Sequence, residues 1–241
     1  MNKPTVDILI PTYNESEQII ESINTLLRFC EKKLQNYDYK IIVGDNASTD
    51  DTYNLVREAF ANNSLVSAEH IEEKGRGRAI MKIWGDSKAD ICAYMDADLS
   101  TDLKHLPQLL DSISVDKNDI AIGSRHLNDS DVKRGFKRRF VGYVHVVLMK
   151  VILGVSFSDT YCGFKAASRS AIDTVFPSIY PNNWPVNGNA WFWDTEFLVL
   201  AQRKGLKISE IPVKWIDDPT TTAKLLRDAI ESLSGMWRLR G

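Results

Sequence analysis

The chain has 241 residues, 44% of them hydrophobic, which is enough for one large α/β domain or two small ones with a substantial core. Its formal net charge of −2 argues against a general nucleic-acid-binding protein, because such proteins carry a positive surplus. Three cysteines without CxxC spacing predict reduced thiols in a cytoplasmic protein, and four scattered histidines show no zinc spacing. The first residues show no signal-peptide pattern, and no stretch reaches the roughly 18 apolar residues that span a bilayer.

Strands and helices alternate in the first half of the sequence. Short apolar runs predict strands at 6–10, 40–44, 65–68, 91–95 and 120–123. Apolar residues at helical spacing predict helices at 14–27, 48–60, 78–84 and 103–113, the first capped by Asn14 and the second by Ser48 or Thr49. Such alternation predicts an α/β fold with a mostly parallel central sheet flanked by helices, and ligands outside the carboxyl ends of the strands.

The second half is less regular. It predicts an apolar helix at 140–153, an extended segment at 160–167, a loop at 177–189, a helix at 192–203, a strand at 208–215 and an amphipathic terminal helix at 222–239. No repeat, low-complexity tract or flexible linker divides the chain, so residues 1–241 are interpreted as a single domain.

Asp96 and Asp98 follow the apolar run at 91–95, which is typical of a strand that is buried on both faces. Side chains at i and i+2 of a strand point to the same side, so the two carboxylates are expected to lie together. Like charges at short range repel unless a cation neutralises them, and hard oxygen ligands favour Mg²⁺ or Mn²⁺. The alternative is an acidic turn in which Ser100 or Thr101 caps the next helix.

Three other loops carry candidate ligand-binding residues. Tyr13 follows the first strand, where its ring could cover a base, and Asp45 follows the second, where it could accept hydrogen bonds from a ribose or a base N–H. Lys74 and Arg78 flank two glycines, a composition that suits a diphosphate. A capped helix, a polar turn and a solvated basic turn are the structural alternatives. The GxGxxG and GKS/T nucleotide-binding motifs are both absent.

The motifs PTYNE at 11–15, GDNASTD at 44–50, KGRGRA at 74–79 and YMDADLS at 94–100 occur in this order. In these four motifs and their order, the chain resembles the family 2 glycosyltransferases of GT-A fold. The chain is more narrowly similar to the polyprenol-phosphate (dolichol-phosphate) hexosyltransferases in three later motifs: IGSR at 122–125, SDTYCGFK at 158–165 and EIPVKW at 210–215. The motif KLLRDA at 224–229 resembles the glucosyl branch of that group. Ser100 stands where the mannosyl branch has a glutamine that helps to hold the metal.

The resemblance implies a single GT-A (Rossmann-like) domain whose residues 1–125 bind a nucleotide-diphosphate sugar and whose residues 126–241 bind the acceptor. It also implies roles for individual residues on the donor side. Asp96 would lie near the sugar and ribose as a catalytic residue, and Asp98, with Asp96, would hold the metal. The nucleoside would be held by Pro11, Tyr13, Glu15 and Asp45. The family inverts the anomeric centre by direct displacement, so no enzyme nucleophile is expected.

The acceptor decides whether a base is required. A sugar hydroxyl must lose its proton during attack, and Asp194 or Glu196 is the candidate base. A polyprenyl phosphate is already anionic and needs cations for placement instead. The candidate cations are Arg125, Arg134, Arg138 and Arg139, although a solvated basic loop is the ordinary interpretation of the last three. Asp159 and Lys165 are expected in the acceptor-side wall, where Lys165 would meet a phosphate. With Asp96 and Asp194, Arg125 and Asp159 are the candidate catalytic residues.

The leading hypothesis is a metal-dependent inverting transferase that moves a hexose to a polyprenyl phosphate, with UDP-glucose as the first donor and GDP-mannose as the second. The alternatives are transfer to a hydroxyl of a surface polysaccharide or glycolipid, and a non-catalytic nucleotide-sugar-binding protein. The helices at 140–153 and 222–239 are amphipathic, which suits either a peripheral position on the cytoplasmic membrane face or packing against the core.

Overall fold

A computed structural model describes residues 3–133, 136–179, 192–216 and 225–240, with side chains described except at 136–141 and 225–231. The first half alternates strand and helix as expected. Its elements are β1 (Thr5–Thr12), α1 (Ile19–Lys33), β2 (Asp38–Asn46), α2 (Thr52–Ala59), β3 (Val66–Ile71), α3 (Arg76–Asp86), β4 (Ile91–Met95), a 3₁₀ turn (Leu103–His105), α4 (Leu106–Ser114) and β5 (Ile120–Ser124).

The second half adds short strands to the same sheet. Its elements are β6 (Asp131–Lys133), α5 (Phe136–Leu153), β7 (Phe164–Ser168), α6 (Arg169–Ile179), α7 (Trp193–Arg203), β8 (Ile208–Pro212), β9 (Lys214–Ile216) and α8 (Leu225–Leu239). The described strands form a seven-stranded sheet in the order β3-β2-β1-β4-β7-β5-β8, and β6 pairs with β9 beside it. β7 is antiparallel to β4 and β5, whereas the other neighbours are parallel. The predicted α/β fold with a mostly parallel central sheet is therefore confirmed.

Helices cover both faces of this sheet because its central strands are apolar on both faces. Every residue of β4 and β5 is buried. One hydrophobic cluster packs α1, α2 and α4 on one face, and a second packs α3, α5, α6, α7 and α8 on the other. Met236 and Leu239 belong to the second cluster, so the C-terminal part of α8 is anchored to the core.

Three local predictions were wrong. Asn14 does not cap α1, which begins at Ile19, because Asn14 adopts a left-handed conformation with φ +57°. Its N–H donates to Ser48 Oγ at 2.9 Å and its Oδ1 accepts from the Thr49 N–H at 2.8 Å, so these residues join two loops instead of capping α2. The expected strand at 208–215 is divided at Val213 between β8 and β9.

Helix α6 was not predicted. It follows β7 without an intervening residue, and Pro177, which we assigned to a loop, lies inside its last turn. The rest of that predicted loop, residues 180–189, falls in a part of the chain that the structure does not describe.

Candidate active site

The carboxyl ends of β1 to β4 gather the donor-side residues at one edge of the sheet. Thr12 pairs with Asp45 between β1 and β2, and Asp45 pairs with His70 between β2 and β3. β4 lies on the other side of β1 and ends just before Asp96. The loops after these strands consequently emerge side by side, as the sequence predicted for a parallel sheet.

Asp45 lies near the carboxyl end of β2, on the side of that strand that pairs with β3. Its side chain is fully buried, and its Oδ2 lies 2.6 Å from His70 Nδ1. Within the described part of the chain, no donor reaches its second oxygen, Oδ1. A buried carboxylate oxygen without a partner is costly, so Oδ1 is suited to accept a hydrogen bond from a ligand. His70 was absent from the sequence-based candidates, which included only Asp45.

Tyr13 and Lys74 come from separate motifs and meet in the structure. Lys74 Nζ lies 3.4 Å from the centre of the Tyr13 ring, which is a cation–π contact. The ring and the ammonium together bring an aromatic face and a positive charge to the loop after β1. This pairing agrees with the expected nucleotide-binding position of both residues, which stays a prediction.

Pro11, Glu15 and Arg78 support the neighbouring loops. Pro11 lies in β1 and pairs with Gly44 of β2. The Glu15 N–H donates to Thr52 Oγ1 at 2.9 Å, and its carboxylate accepts from Gln18. Arg78 forms an ion pair with Glu73 at 3.0 Å and donates to the Lys74 carbonyl at 2.9 Å. Each residue thus has a structural role here, and its expected contact with the nucleotide remains a prediction.

Arg76 is the residue of the KGRGRA motif that contacts both Asp96 and Asp194, whereas the sequence predicted binding roles for Lys74 and Arg78. It is the first residue of α3, directly after Gly75, whose φ of +155° favours glycine. Arg76 Nη1 donates to Asp96 Oδ1 at 3.2 Å, and Nη2 donates to Asp194 Oδ2 at 2.8 Å. Burial lowers the pKa of Arg76, but Asp194, Tyr94 and Asp96 outweigh it and keep the pKa well above its usual value.

A buried polar cluster surrounds Asp194. Tyr94 donates its hydroxyl to Asp194 Oδ1, and Lys165 Nζ lies 3.0 Å from both the Tyr94 oxygen and Asp194 Oδ1. Lys165 also donates to the Cys162 carbonyl. Burial raises the pKa of Asp194, but the charges of Lys165 and Arg76 outweigh this and hold the pKa below its usual value. The carboxylate is therefore ionised, enclosed and already hydrogen-bonded.

These contacts bear on two predicted roles. The Lys165 side chain is only 1% exposed, and its donors are used inside the protein, so this geometry does not support its expected contact with an acceptor phosphate. Asp194 is 4% exposed and is paired with two cations, an arrangement that disfavours proton uptake from a hydroxyl. Both roles stay predictions, and each would require the side chain to leave the contacts described here.

Asp96 packs directly against Gly163 in the loop before β7. The Asp96 N–H donates to the Gly163 carbonyl at 3.1 Å, and a Cβ on Gly163 would lie 1.9 Å from Asp96 Oδ2. Any larger residue at 163 must therefore displace the carboxylate. Burial raises the pKa of Asp96, Arg76 lowers it, and the nearby charge of Asp98 raises it further.

Asp98 lies beyond the end of β4 in an exposed turn. Ser100 donates its backbone N–H to Asp98 Oδ1 at 2.9 Å and its hydroxyl to Oδ2, while Leu99 has a φ of +50°. The expected cap is different, because Asp102 caps the following 3₁₀ turn by accepting from the Lys104 N–H. Asp98 is the more accessible member of the Asp-Ala-Asp motif.

The two carboxylates fit a hard divalent cation only in part. Across the described ranges, no group of three or more His, Cys, Asp or Glu side chains is placed to hold a metal. Mg²⁺ and Mn²⁺ commonly bind through one or two carboxylates and complete their shells with water and substrate phosphates. Asp96 and Asp98, with the Ser100 hydroxyl beside Asp98, are compatible with such a site, and the metal contact remains a prediction.

Arg125 and Asp159 form a buried ion pair with two parallel hydrogen bonds. Arg125 Nε donates to Asp159 Oδ2 at 2.8 Å, and Nη2 donates to Oδ1 at 2.9 Å. Asp159 Oδ1 also accepts from the backbone N–H groups of Tyr161 and Cys162. Burial raises the pKa of Asp159, but Arg125 outweighs it and holds the pKa far below its usual range. The pair fixes the loop that leads to Gly163, and the proposed catalytic roles of both residues stay predictions.

The basic run at 133–139 is only partly described. Arg134 lies outside the described residues, and Arg138 and Arg139 lie in α5 at positions whose side chains are not described. Their assignment to acceptor binding stays a prediction.

A sequence model described as glycosyl transferase family 2 matches residues 7–176, which is most of the chain. The chain belongs to the family 2 glycosyltransferases. Glycosyltransferase AglD of Haloferax volcanii is 30% identical over 97% of this chain, which spans 37% of the length of AglD. Dolichyl-phosphate beta-glucosyltransferase of Dictyostelium discoideum is 28% identical over 99% of this chain and 80% of its own length.

Solved structures confirm the GT-A fold of this glycosyltransferase. Glucosyl-3-phosphoglycerate synthase of Mycobacterium tuberculosis in complex with uridine diphosphate aligns with a TM-score of 0.68 at 18% identity, over 99% of this chain and 80% of the other. A mannosyltransferase of Pyrobaculum calidifontis in complex with GDP-Man and Mn²⁺ aligns with a TM-score of 0.65 at 19% identity, over 98% of this chain and 65% of the other.

Proposed function

We propose that this glycosyltransferase moves a hexose from a nucleotide-diphosphate sugar to a polyprenyl phosphate, with inversion at the anomeric carbon and with Mg²⁺ or Mn²⁺. Two relatives named dolichyl-phosphate beta-glucosyltransferase, from Dictyostelium discoideum and Saccharomyces cerevisiae, support the lipid-phosphate acceptor, at 28% and 27% identity. UDP-glucose is the first donor to test and GDP-mannose the second.

The burial and the ion pairs of Asp194 are the observation that supports a phosphate acceptor. A hydroxyl acceptor requires a base that takes up a proton during attack. Asp194 is buried and ionised, so protonating it would remove the counter-charge of the buried Lys165 and one of the two carboxylates that pair with the partly buried Arg76. A phosphate acceptor is anionic before it arrives and attacks without giving up a proton. The geometry therefore favours phosphate over hydroxyl.

The donor side supplies the residues that would orient the leaving group. Tyr13, Asp45 and Lys74 would hold the nucleoside at the ends of β1 and β2. Asp98 and Asp96 would hold the divalent cation, which when bound acts as a Lewis acid on the departing diphosphate. Arg76 holds Asp96 through a 3.2 Å hydrogen bond and so fixes the carboxylate beside the expected sugar position.

An apolar surface on α5 and α8 suits a peripheral position on the cytoplasmic membrane face. Tyr143, Val147 and Val151 on α5 and Leu233 and Trp237 on α8 are exposed, and the two helices contact each other. Exposed aromatic and aliphatic side chains in such a patch are favourable at a lipid interface. In the ranges that the structure describes, no helix has both the length and the hydropathy to cross a bilayer.

The test uses the purified chain with Mn²⁺, a polyprenyl phosphate and radiolabelled UDP-glucose or GDP-mannose, and counts label that enters the organic phase. We expect label in the lipid, its loss in Asp98→Ala, and little change in Asp116→Ala, a matched control at an exposed aspartate after α4. Transfer of label to a sugar acceptor but never to the lipid would contradict the proposed acceptor. Donor binding without transfer or hydrolysis would instead support a non-catalytic binding protein.

A further inference from the structure

Asp45 has one oxygen that is hydrogen-bonded and one that is not. Its side chain is 0% exposed, Oδ2 lies 2.6 Å from His70 Nδ1, and Oδ1 lacks a donor among the described residues. The hydrogen bond with His70 explains the burial of Oδ2 but leaves the cost of burying Oδ1 without a partner. The unpaired oxygen at the ligand-binding edge of the sheet indicates that a donor arrives with the ligand.

The His70 ring has a second contact besides Asp45. Its ring centre lies 5.3 Å from that of Tyr53 on α2, and the guanidinium carbon of Arg57 lies 5.3 Å from the centre of the Tyr53 ring. The backbone also fixes the pair, because Asp45 and His70 are opposite each other between β2 and β3. His70 can therefore set the rotation of the Asp45 carboxylate.

We propose that His70 is a positioning residue that makes the nucleoside site selective for a base with a single N–H donor on its pairing edge, as in uracil. This inference rests on the proposed function and narrows its donor to a uridine nucleotide. Guanine presents two adjacent donors, N1–H and N2–H, which match a carboxylate with both oxygens available. Because His70 Nδ1–H occupies Oδ2, one oxygen remains, and it matches the N3–H of uracil, which stands between two carbonyl groups.

Asp45 Oδ1 and uracil N3–H also match in their hydrogen-bonding chemistry. Uracil N3–H is the only ring donor on the edge that pairs with other bases, and an ionised carboxylate only accepts hydrogen bonds. A pocket that is built around such a bond discriminates against a ligand lacking the N–H, because the buried acceptor is then left unpaired. Methylation at N3 of the uracil is therefore a direct probe of Oδ1.

The experiment is calorimetric titration of the full chain, in Mn²⁺, with UDP, with UDP methylated at uracil N3, and with GDP. A hydrogen bond to a charged group predicts that the wild type binds UDP about 10- to 100-fold more tightly than the methylated analogue. In His70→Ala the carboxylate can rotate, so we expect the preference for UDP over the analogue and over GDP to fall roughly ten-fold.

His70→Asn tests whether a donor at the Nδ1 position is sufficient, because its amide nitrogen occupies nearly the same place, and we expect it to restore part of the preference. Glu69→Gln is the matched control, since adjacent residues of a strand point to opposite faces, and it should bind like the wild type. Circular dichroism of each variant checks that it is folded. The ratios between ligands are compared within one variant, so a partial loss of active protein does not affect them.

Three results would overturn the inference, and the first two are distinct from the third. Equal binding of UDP and its N3-methylated analogue by the wild type, or unchanged ratios in His70→Ala, would contradict the role of His70 and leave the transferase proposal intact. Failure of the wild type to bind any of the nucleoside diphosphates would overturn both proposals.

Discussion

Polar side chains at the ends of β1 to β4 differ in their surroundings from those contributed after residue 125. Asp98 is exposed, and Asp45 has an oxygen that no described residue reaches. Asp159, Lys165 and Asp194 are as buried as Asp45, but each of these three carries several internal hydrogen bonds. The first region has polar atoms that remain available to a ligand. In the second region, the described polar side chains are bonded to one another and stabilise the structure around the site.

The connection between the two regions runs through Asp96. Arg76 joins Asp96 to Asp194 of α7, and Gly163 of the loop before β7 lies against the Asp96 carboxylate. β7 inserts antiparallel between β4 and β5, which brings this loop to the carboxyl end of β4. Changes in the second region should therefore alter stability or the placement of Asp96 more than they alter nucleotide binding.

The largest effect is expected from Asp159→Asn, which leaves the Arg125 cation buried without its counter-charge. Removing one member of a buried pair typically costs about 3–5 kcal/mol, so we expect the free energy of unfolding to fall by about that amount and turnover to fall with it. Urea titration followed by fluorescence measures the first, and the label-transfer assay the second. A variant with wild-type stability and kinetics would show that the pair does not organise the loop.

Gly163→Ala tests the contact with Asp96 directly. The new methyl group would lie 1.9 Å from Asp96 Oδ2, so the carboxylate must move, and a displacement of about 1 Å commonly lowers turnover by about 100-fold. We expect kcat to fall by roughly this factor while the Kd for UDP changes little.

Gly85→Ala in α3 is the matched control for that variant. Its added Cβ would lie 3.9 Å from Phe176, an ordinary van der Waals distance, and alanine favours a helix. Stability should hold or rise by up to about 1 kcal/mol, and turnover should not change. Equal losses of kcat in both glycine variants would indicate a general packing defect and contradict the specific contact.

The sequence predicted helices and strands that depend on neighbouring residues, and it missed contacts between residues that are far apart in the chain. β4 was predicted to the residue because its five positions are apolar and buried. α6 was missed because β7 runs into it without a loop and Pro177 suggests an earlier end. Arg76 lies 118 residues from Asp194, and His70 lies 25 residues from Asp45. Neither spacing has a sequence signature, because the sheet register creates both contacts.

His145 on α5 gives the second region a pH dependence. Burial lowers its pKa from 6.5 to about 4, and its ring packs 4.8 Å from Tyr161. Between these pH values the unfolded chain binds a proton that the folded chain does not, so the free energy of unfolding falls as pH decreases from about 6.5 towards about 4. We expect a loss of about 2 kcal/mol after discounting for partial exposure.

His145→Gln provides the comparison for that measurement because glutamine does not titrate in this range. Urea titrations at pH 7.5, 6 and 5 should show a smaller loss of stability in the variant than in the wild type. Since carboxylates titrate in both proteins at the low end, the difference between the two curves reports His145 alone. Parallel curves would contradict the prediction.

The smallest effect is expected on the apolar surface, where Trp237→Ala should weaken binding to phosphatidylcholine–phosphatidylglycerol vesicles. Trp237 is 70% exposed, so its removal costs little stability, but burying its ring in an interface contributes on the order of 1 kcal/mol, or about five-fold in partition. Val115→Ala is the control, because Val115 is 67% exposed at the end of α4, on the other side of the sheet. Co-sedimentation with vesicles measures both. Similar losses in the two variants would indicate non-specific adsorption, whereas a loss confined to Trp237→Ala would assign the lipid-facing side to α5 and α8 and place membrane contact in the second region.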